Sequence, residues 1–77
     1  MNRFKNKNGD VSRYALACGY IQKRELAPNI EITLWHEGGP CFHVRAHDHN
    51  THERIFWHAT KSLTEARKVY RSGKAPQ

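Results

Sequence analysis

Two seven-residue runs, IEITLWH over 30–36 and CFHVRAH over 41–47, alternate apolar and polar side chains on either side of the short break EGGP. Period-two alternation marks a strand with one buried face, because successive side chains of extended backbone point to opposite sides. Two such runs joined through Gly38, Gly39 and Pro40 require an antiparallel hairpin of the longer-loop kind. Its two faces follow directly. Ile30, Ile32 and Leu34, with Phe42, Val44 and Ala46, belong to a core. Glu31, Thr33 and Trp35, with Cys41, His43, Arg45 and His47, point the other way.

The flanking sequence extends this pattern. DHNTHE over 48–53 is a polar connection in which Asp48 and Asn50 can supply a turn. RIFWHAT over 54–60 is a further strand, with Ile55, Trp57 and Ala59 expected on one face and Arg54, Phe56 and His58 on the other. Both of its faces are partly apolar, as in a strand covered on two sides. Upstream, RYALACGYIQKRE over 13–25 reads as a strand bent at Gly19 or as a short helix, and the strand is the favoured reading. Pro28 then breaks the chain by fixing its own φ and restricting Ala27.

KSLTEARKVYRSG over 61–73 carries the clearest helical signal. Ser62 and Glu65 have capping-box spacing, and Gly73 stands where a left-handed residue ends a helix. Leu63, Ala66, Val69 and Tyr70 form an apolar stripe at spacings of three and four, flanked by Arg67, Lys68 and Arg71. The expected fold is α+β: a small antiparallel sheet of three to four strands with one C-terminal helix packed on one face, ββββα. A helical first element would instead give helix, two hairpins, helix.

A chain of 77 residues makes one domain with a thin core. Residues 1–10, polar and basic, are expected to be a flexible arm, 11–73 a single domain and 74–77 a tail. Cys18 and Cys41 are too few for a disulfide framework, which favours reduced thiols. With no secretory apolar region after Met1 and no run long enough for a membrane span, a cytoplasmic protein is expected. The formal charge of +6 suits phosphate or an acidic protein surface as partner.

Five of the six histidines fall within residues 41–58, beside Cys41, Arg45 and Arg54. As a zinc site the set is poorly spaced, since Cys41 and His47 stand at opposite ends of one strand, roughly 20 Å apart. His47, His49 and His52 around the following turn, with Asp48, are the better metal candidates, though no spacing matches a finger. Catalysis has residue types available in Cys41, His43, His47, Asp48 and His49, as in a small RNase-like toxin, but no orienting third group or oxyanion hole. The third reading is a binding face. Arg45 and Arg54 can contact phosphate, His43 and His58 can donate hydrogen bonds or stack, and Trp35 and Phe56 offer π surfaces. Arg67, Lys68 and Arg71 on the helix are further candidates. No cofactor is implied. The bland alternative is that Trp35 and Phe56 complete a second small core among solvated histidines.

The stretch from Ile32 to Tyr70, with WHATKSLTEA leading into the helix, is similar to the three-stranded-sheet-plus-helix modules at the N-terminus of phage and transposon tyrosine integrases and to AP2-like domains. That resemblance implies a sheet that enters the DNA major groove with the helix behind it. It puts Arg45 and Arg54 at groove-facing positions. By size and style the chain also resembles small bacteriophage accessory proteins, among them anti-CRISPR inhibitors. The resulting expectation is a non-enzymatic, phage- or mobile-element-borne protein that binds nucleic acid, or alternatively one that binds a host protein handling nucleic acid.

Overall fold

The alternating runs pair as their pattern requires. In the computed structural model, which describes residues 3–7, 9–36 and 41–75, strands β2 (Ile30–His36) and β3 (Phe42–Asp48) run antiparallel, with Ile32 opposite Ala46 and Leu34 opposite Val44. Gly38, Gly39 and Pro40 of the expected turn lie outside the described residues, as do Pro76 and Gln77 of the tail. Strands β1 (Gln22–Ala27) and β4 (Glu53–Thr60) complete a four-stranded antiparallel sheet in the order β1-β2-β3-β4. Helix α2 (Leu63–Ser72) packs across β2, β3 and β4 on one face, giving the α+β arrangement expected from the sequence.

The first element departs from the favoured strand reading. Arg13–Ala17 forms a short helix, α1, and only Gln22–Ala27 is strand. Ser12 caps α1 by accepting a hydrogen bond from the Ala15 amide at 3.1 Å. Gly19 closes it with φ of 82°, while the amides of Gly19 and Tyr20 bond back to the carbonyls of Leu16 and Ala15. Gly19 is therefore a helix terminator rather than a bend in a strand. Val11 and Leu16 occupy the positions of a hydrophobic staple, and both are fully buried in the core.

Between β1 and β2 the turn is Pro28-Asn29, with Asn29 at φ of 69°, the arrangement that a two-residue turn with Pro first and Asn second supports. Between β3 and β4, Asp48 Oδ1 accepts from the amides of Asn50 and Thr51 at 2.8 and 3.2 Å, so the polar run folds as its composition predicts.

The core lies between the sheet and the two helices. Val11, Ala15 and Leu16 meet Ile32, Leu34, Phe42 and Val44, and the stripe Leu63, Ala66, Val69 and Tyr70 closes the layer from above. Helix α2 begins at Ser62, whose side chain accepts from the Glu65 amide at 3.2 Å, and ends at Gly73, whose φ is 71°. Glu65 does not complete the box as expected. The Ser62 amide bonds Thr60 Oγ1 instead, and the Glu65 carboxylate turns to His58.

The segment expected to be an arm is held against this core in its described residues. Lys5 bridges Val11, Phe4 stacks on Tyr20 at 5.8 Å, and Asp10 is buried and ion-paired with Arg71. Among the described residues no helix is long and apolar enough to cross a membrane.

Candidate nucleic-acid interface on the open face of the sheet

Strand pairing brings the site together in rows. Lys23, Thr33, Arg45 and Trp57 form one row across all four strands, and Trp35, His43 and Ala59 form the next. Alternation places these residues on the face away from α2. Trp35, His43 and Arg45 are thus where the sequence put them.

The last strand corrects the expectation. A register shift opposite Ala46 and His47 pairs Ala46 with Phe56 but His47 with Arg54, leaving Ile55 as the extra residue of a bulge. Phe56 and His58 consequently share the covered face with Ala46 and Val44. Phe56 packs on the core, whereas Ile55 and Trp57 are each 52% exposed. Trp57 and Ile55, expected inside, are outside, and Phe56 and His58, expected outside, are under the helix. Arg54 remains on the open face only because the bulge resets the alternation before it. The notion of a second core built by Trp35 with Phe56 fails for the same reason, since the two lie on opposite faces.

The rings on the open face form one cluster. Trp35 stacks on His43 with centroids 5.0 Å apart and planes 18° from parallel, and Trp57 lies 6.4 Å from Trp35 and 5.8 Å from His43. The Trp57 indole donates to His43 Nδ1 at 3.2 Å. Indole nitrogen can only donate, so this bond leaves Nδ1 with its lone pair and puts the ring proton of a neutral His43 on Nε2. Arginines cover both ends. The Arg45 guanidinium carbon is 5.3 Å from the Trp35 ring, and that of Arg54 is 5.1 Å from the Trp57 ring. Each such contact contributes about 0.5–1 kcal/mol at an exposed site, enough to favour an orientation but not to withhold the cation from a ligand. None of the ion pairs among the described residues involves Lys23, Arg45 or Arg54. Beside Trp35, an open groove of about 450 Å³ is lined by Gly19, Ile21, Thr33, Trp35, His36 and Arg45.

The remaining candidates lie elsewhere. His58 Nε2 sits 3.2 Å from Glu65 Oε2, joining β4 to α2. Arg67 donates to the Val11 carbonyl, and burial, with Arg13 nearby, holds its guanidinium below the usual arginine value. Arg71 pairs with Asp10. These two arginines therefore fasten the N-terminal segment to α2, behind the sheet. Lys68 is exposed on α2, likewise away from the open face.

The turn histidines do not converge either. His47 and His49 meet edge to face at 5.0 Å, and His49 faces Glu31 at 3.5 Å. His52 serves the turn itself, in the left-handed region with φ of 61°. Among the described residues no group of three His, Cys, Asp or Glu is placed to hold a metal ion.

Sequence reasoning singled out neither Lys23 nor Trp57, and Trp57 is the larger omission. Its signal was a strand apolar on both faces, where the size of the side chains does not say which face is inside. Compared with protein-family models, with curated proteins and with solved structures, the chain matches none.

Proposed function

We propose that the protein binds nucleic acid, without chemistry of its own, through the open face of its sheet. The observation that carries this reading is the cluster of Trp35, His43 and Trp57 between Arg45 and Arg54, in which Trp57 and both arginines are exposed, with Lys23 in the row of Arg45 and Trp57. Rings supply π surfaces for bases, and the cations supply phosphate contacts. The N-terminal basic residues add long-range attraction. Such a protein fits the repertoire of phages and mobile elements.

Binding that rests on phosphate contacts falls steeply with salt, because neutralised phosphates release counterions. Titration with mixed DNA and RNA across a range of salt concentrations tests the reading. The Arg45→Ala, Arg54→Ala double variant should bind weakly, with a salt slope shallower by about 1–2. Unchanged binding by the double variant would remove the site assignment.

A second reading draws on Ile21, exposed in the groove beside Trp35, and on Ile55, exposed on the strand that carries Trp57. Exposed Trp and Arg with aliphatic neighbours also suit a protein interface. In that reading the same face blocks a host protein that handles nucleic acid, in the manner of an anti-CRISPR inhibitor. Capture of a host protein from nuclease-treated lysate, lost in Trp57→Ala, would favour it over direct nucleic-acid binding.

A further inference from the structure

We infer that the strand bound by the open face is single and unpaired, its bases stacking on the exposed ring of Trp57 beside the Trp35–His43 pair. This rests on the nucleic-acid reading above and specifies the ligand.

The first argument is shape. Four strands spaced about 4.8 Å apart put the outer strand axes about 14 Å from one another, before side chains are added. The major groove of B-form DNA is about 12 Å wide and admits a helix or a two-stranded ribbon. The ring cluster is on the face, not at an edge. It sits on β2, β3 and β4 with β1 alongside, so a groove that admits a three-stranded sheet, as the resemblance implies, would here have to accommodate a fourth strand and its Glu25.

The second argument is chemistry. A duplex groove displays base edges, which are read by hydrogen-bonding side chains. The centre of this face instead offers π surface, and a base within a duplex has no free π face to give it. Unpaired bases do. Trp35 and His43 already stack on one another, with planes 18° apart, and both are half-buried, so the π surface open to a base is chiefly that of Trp57, 52% exposed on β4.

Charge defines the track. Arg45 and Lys23 stand in the same row as Trp57, and Arg54 lies over the Trp57 ring. Acidic side chains also occupy this face, in Glu25 and Glu31, which are opposite one another in the row that continues through His47 to Arg54. Those carboxylates repel phosphate and close the track at that end. At the other end lies the groove beside Trp35, where Ile21 and Thr33 flank Arg45.

Trp35 and Trp57 are the only tryptophans of the chain, so tryptophan emission reports on this ring cluster alone. The experiment titrates the full chain with an eight-nucleotide oligodeoxythymidylate, the oligouridylate of the same length, and a mixed-sequence duplex, at low and moderate salt. The single strands should quench tryptophan emission and bind at least tenfold more tightly than the duplex. Trp57→Ala should lose about tenfold in single-strand affinity, the effect of one stacked base, and Trp57→Phe should keep most of it. Thermal melting of both variants verifies that they fold.

Duplex affinity equal to or above that of both single strands overturns the inference while leaving nucleic-acid binding in place. So does a folded Trp57→Ala variant that binds single strands like the parent. Failure of all three ligands to bind in a salt-dependent way overturns the nucleic-acid reading itself.

Discussion

The two faces of the sheet are made by alternate residues of the same strands, yet they are built on different chemistry. Under the helices, Ile32, Leu34 and Val44 are fully buried aliphatic groups, and the polar residues that share this face have structural partners: His36 bonds the Leu16 carbonyl and His58 meets Glu65. On the other side the large groups are rings, with Arg45 and Arg54 laid over them and Trp57 half exposed. Aliphatic burial stabilises a fold in proportion to area removed from water. Stacked, partly exposed rings return less stability than the same side chains would inside, and they keep surface available to a ligand. The covered face holds the fold together, and the open face leaves Trp57, Arg45 and Arg54 exposed.

The largest expected effect therefore comes from the covered face. At roughly 0.05–0.15 kcal/mol per residue, a chain of this length has a total stability of about 4–12 kcal/mol. Leu34→Ala should remove about 2–5 kcal/mol of it, the range for a buried leucine. Chemical denaturation measures this directly. A cost below about 1 kcal/mol would mean that Leu34 is not at the centre of the core.

The comparison is sharpest on neighbouring residues of β4. Phe56→Ala should destabilise by about 2 kcal/mol, less than for a fully buried Phe because its ring is only partly covered. Trp57→Ala, which deletes the larger side chain, should cost about 1 kcal/mol or less, being limited to ring and cation contacts on the surface. Equal losses, or the reverse order, would show that the bulge opposite Ala46 and His47 does not set the faces of this strand.

That bulge also marks how far the sequence could be read. The central hairpin was legible because each run has one apolar and one polar face, so a shift of one residue would expose the whole core. Helix α2 was legible in its stripe and in Ser62 and Gly73. For β4 both parities carry apolar side chains, and nothing local announces an extra residue at Ile55. Thus Trp35, His43, Arg45 and Arg54 lie on the face where the sequence put them, whereas Trp57 and His58 were each put on the wrong side. Arg67 and Arg71 read as free cations because their partners, the Val11 carbonyl and Asp10, are remote in sequence. The helix α1 was hidden by its length, although Ser12 and Gly19 bracket it.

A smaller effect is expected where the covering helix ends. Gly73 holds a left-handed conformation, and a Cβ there would meet Leu26 Cδ2 at 2.8 Å. Backbone strain at this position costs about 1–2 kcal/mol, and the leucine side chain must also move. Gly73→Ala should lower stability by about that amount without altering ligand binding on the opposite face. A change in nucleic-acid affinity at matched folding would link two regions that the comparison separates.

The smallest effect is one of pH and concerns the link between β4 and α2. Hydrogen bonds from Thr60 and then His58 hold the Glu65 carboxyl below its ordinary value of 4.5, with the charges of His58 and Lys68 acting in the same direction and partial desolvation opposing them. Because the folded value is the lower one, the ionised carboxylate favours the folded state. Its contribution is complete above the ordinary glutamate range and disappears as pH falls through the folded value. Glu65→Gln should accordingly be less stable than the parent at pH 7, and the two melting curves should draw together as pH falls through the lowered Glu65 value. A difference that persists undiminished at pH 3 would assign Glu65 a neutral packing or hydrogen-bonding role. The prediction of a charge-dependent link between the last strand and its covering helix would then be withdrawn.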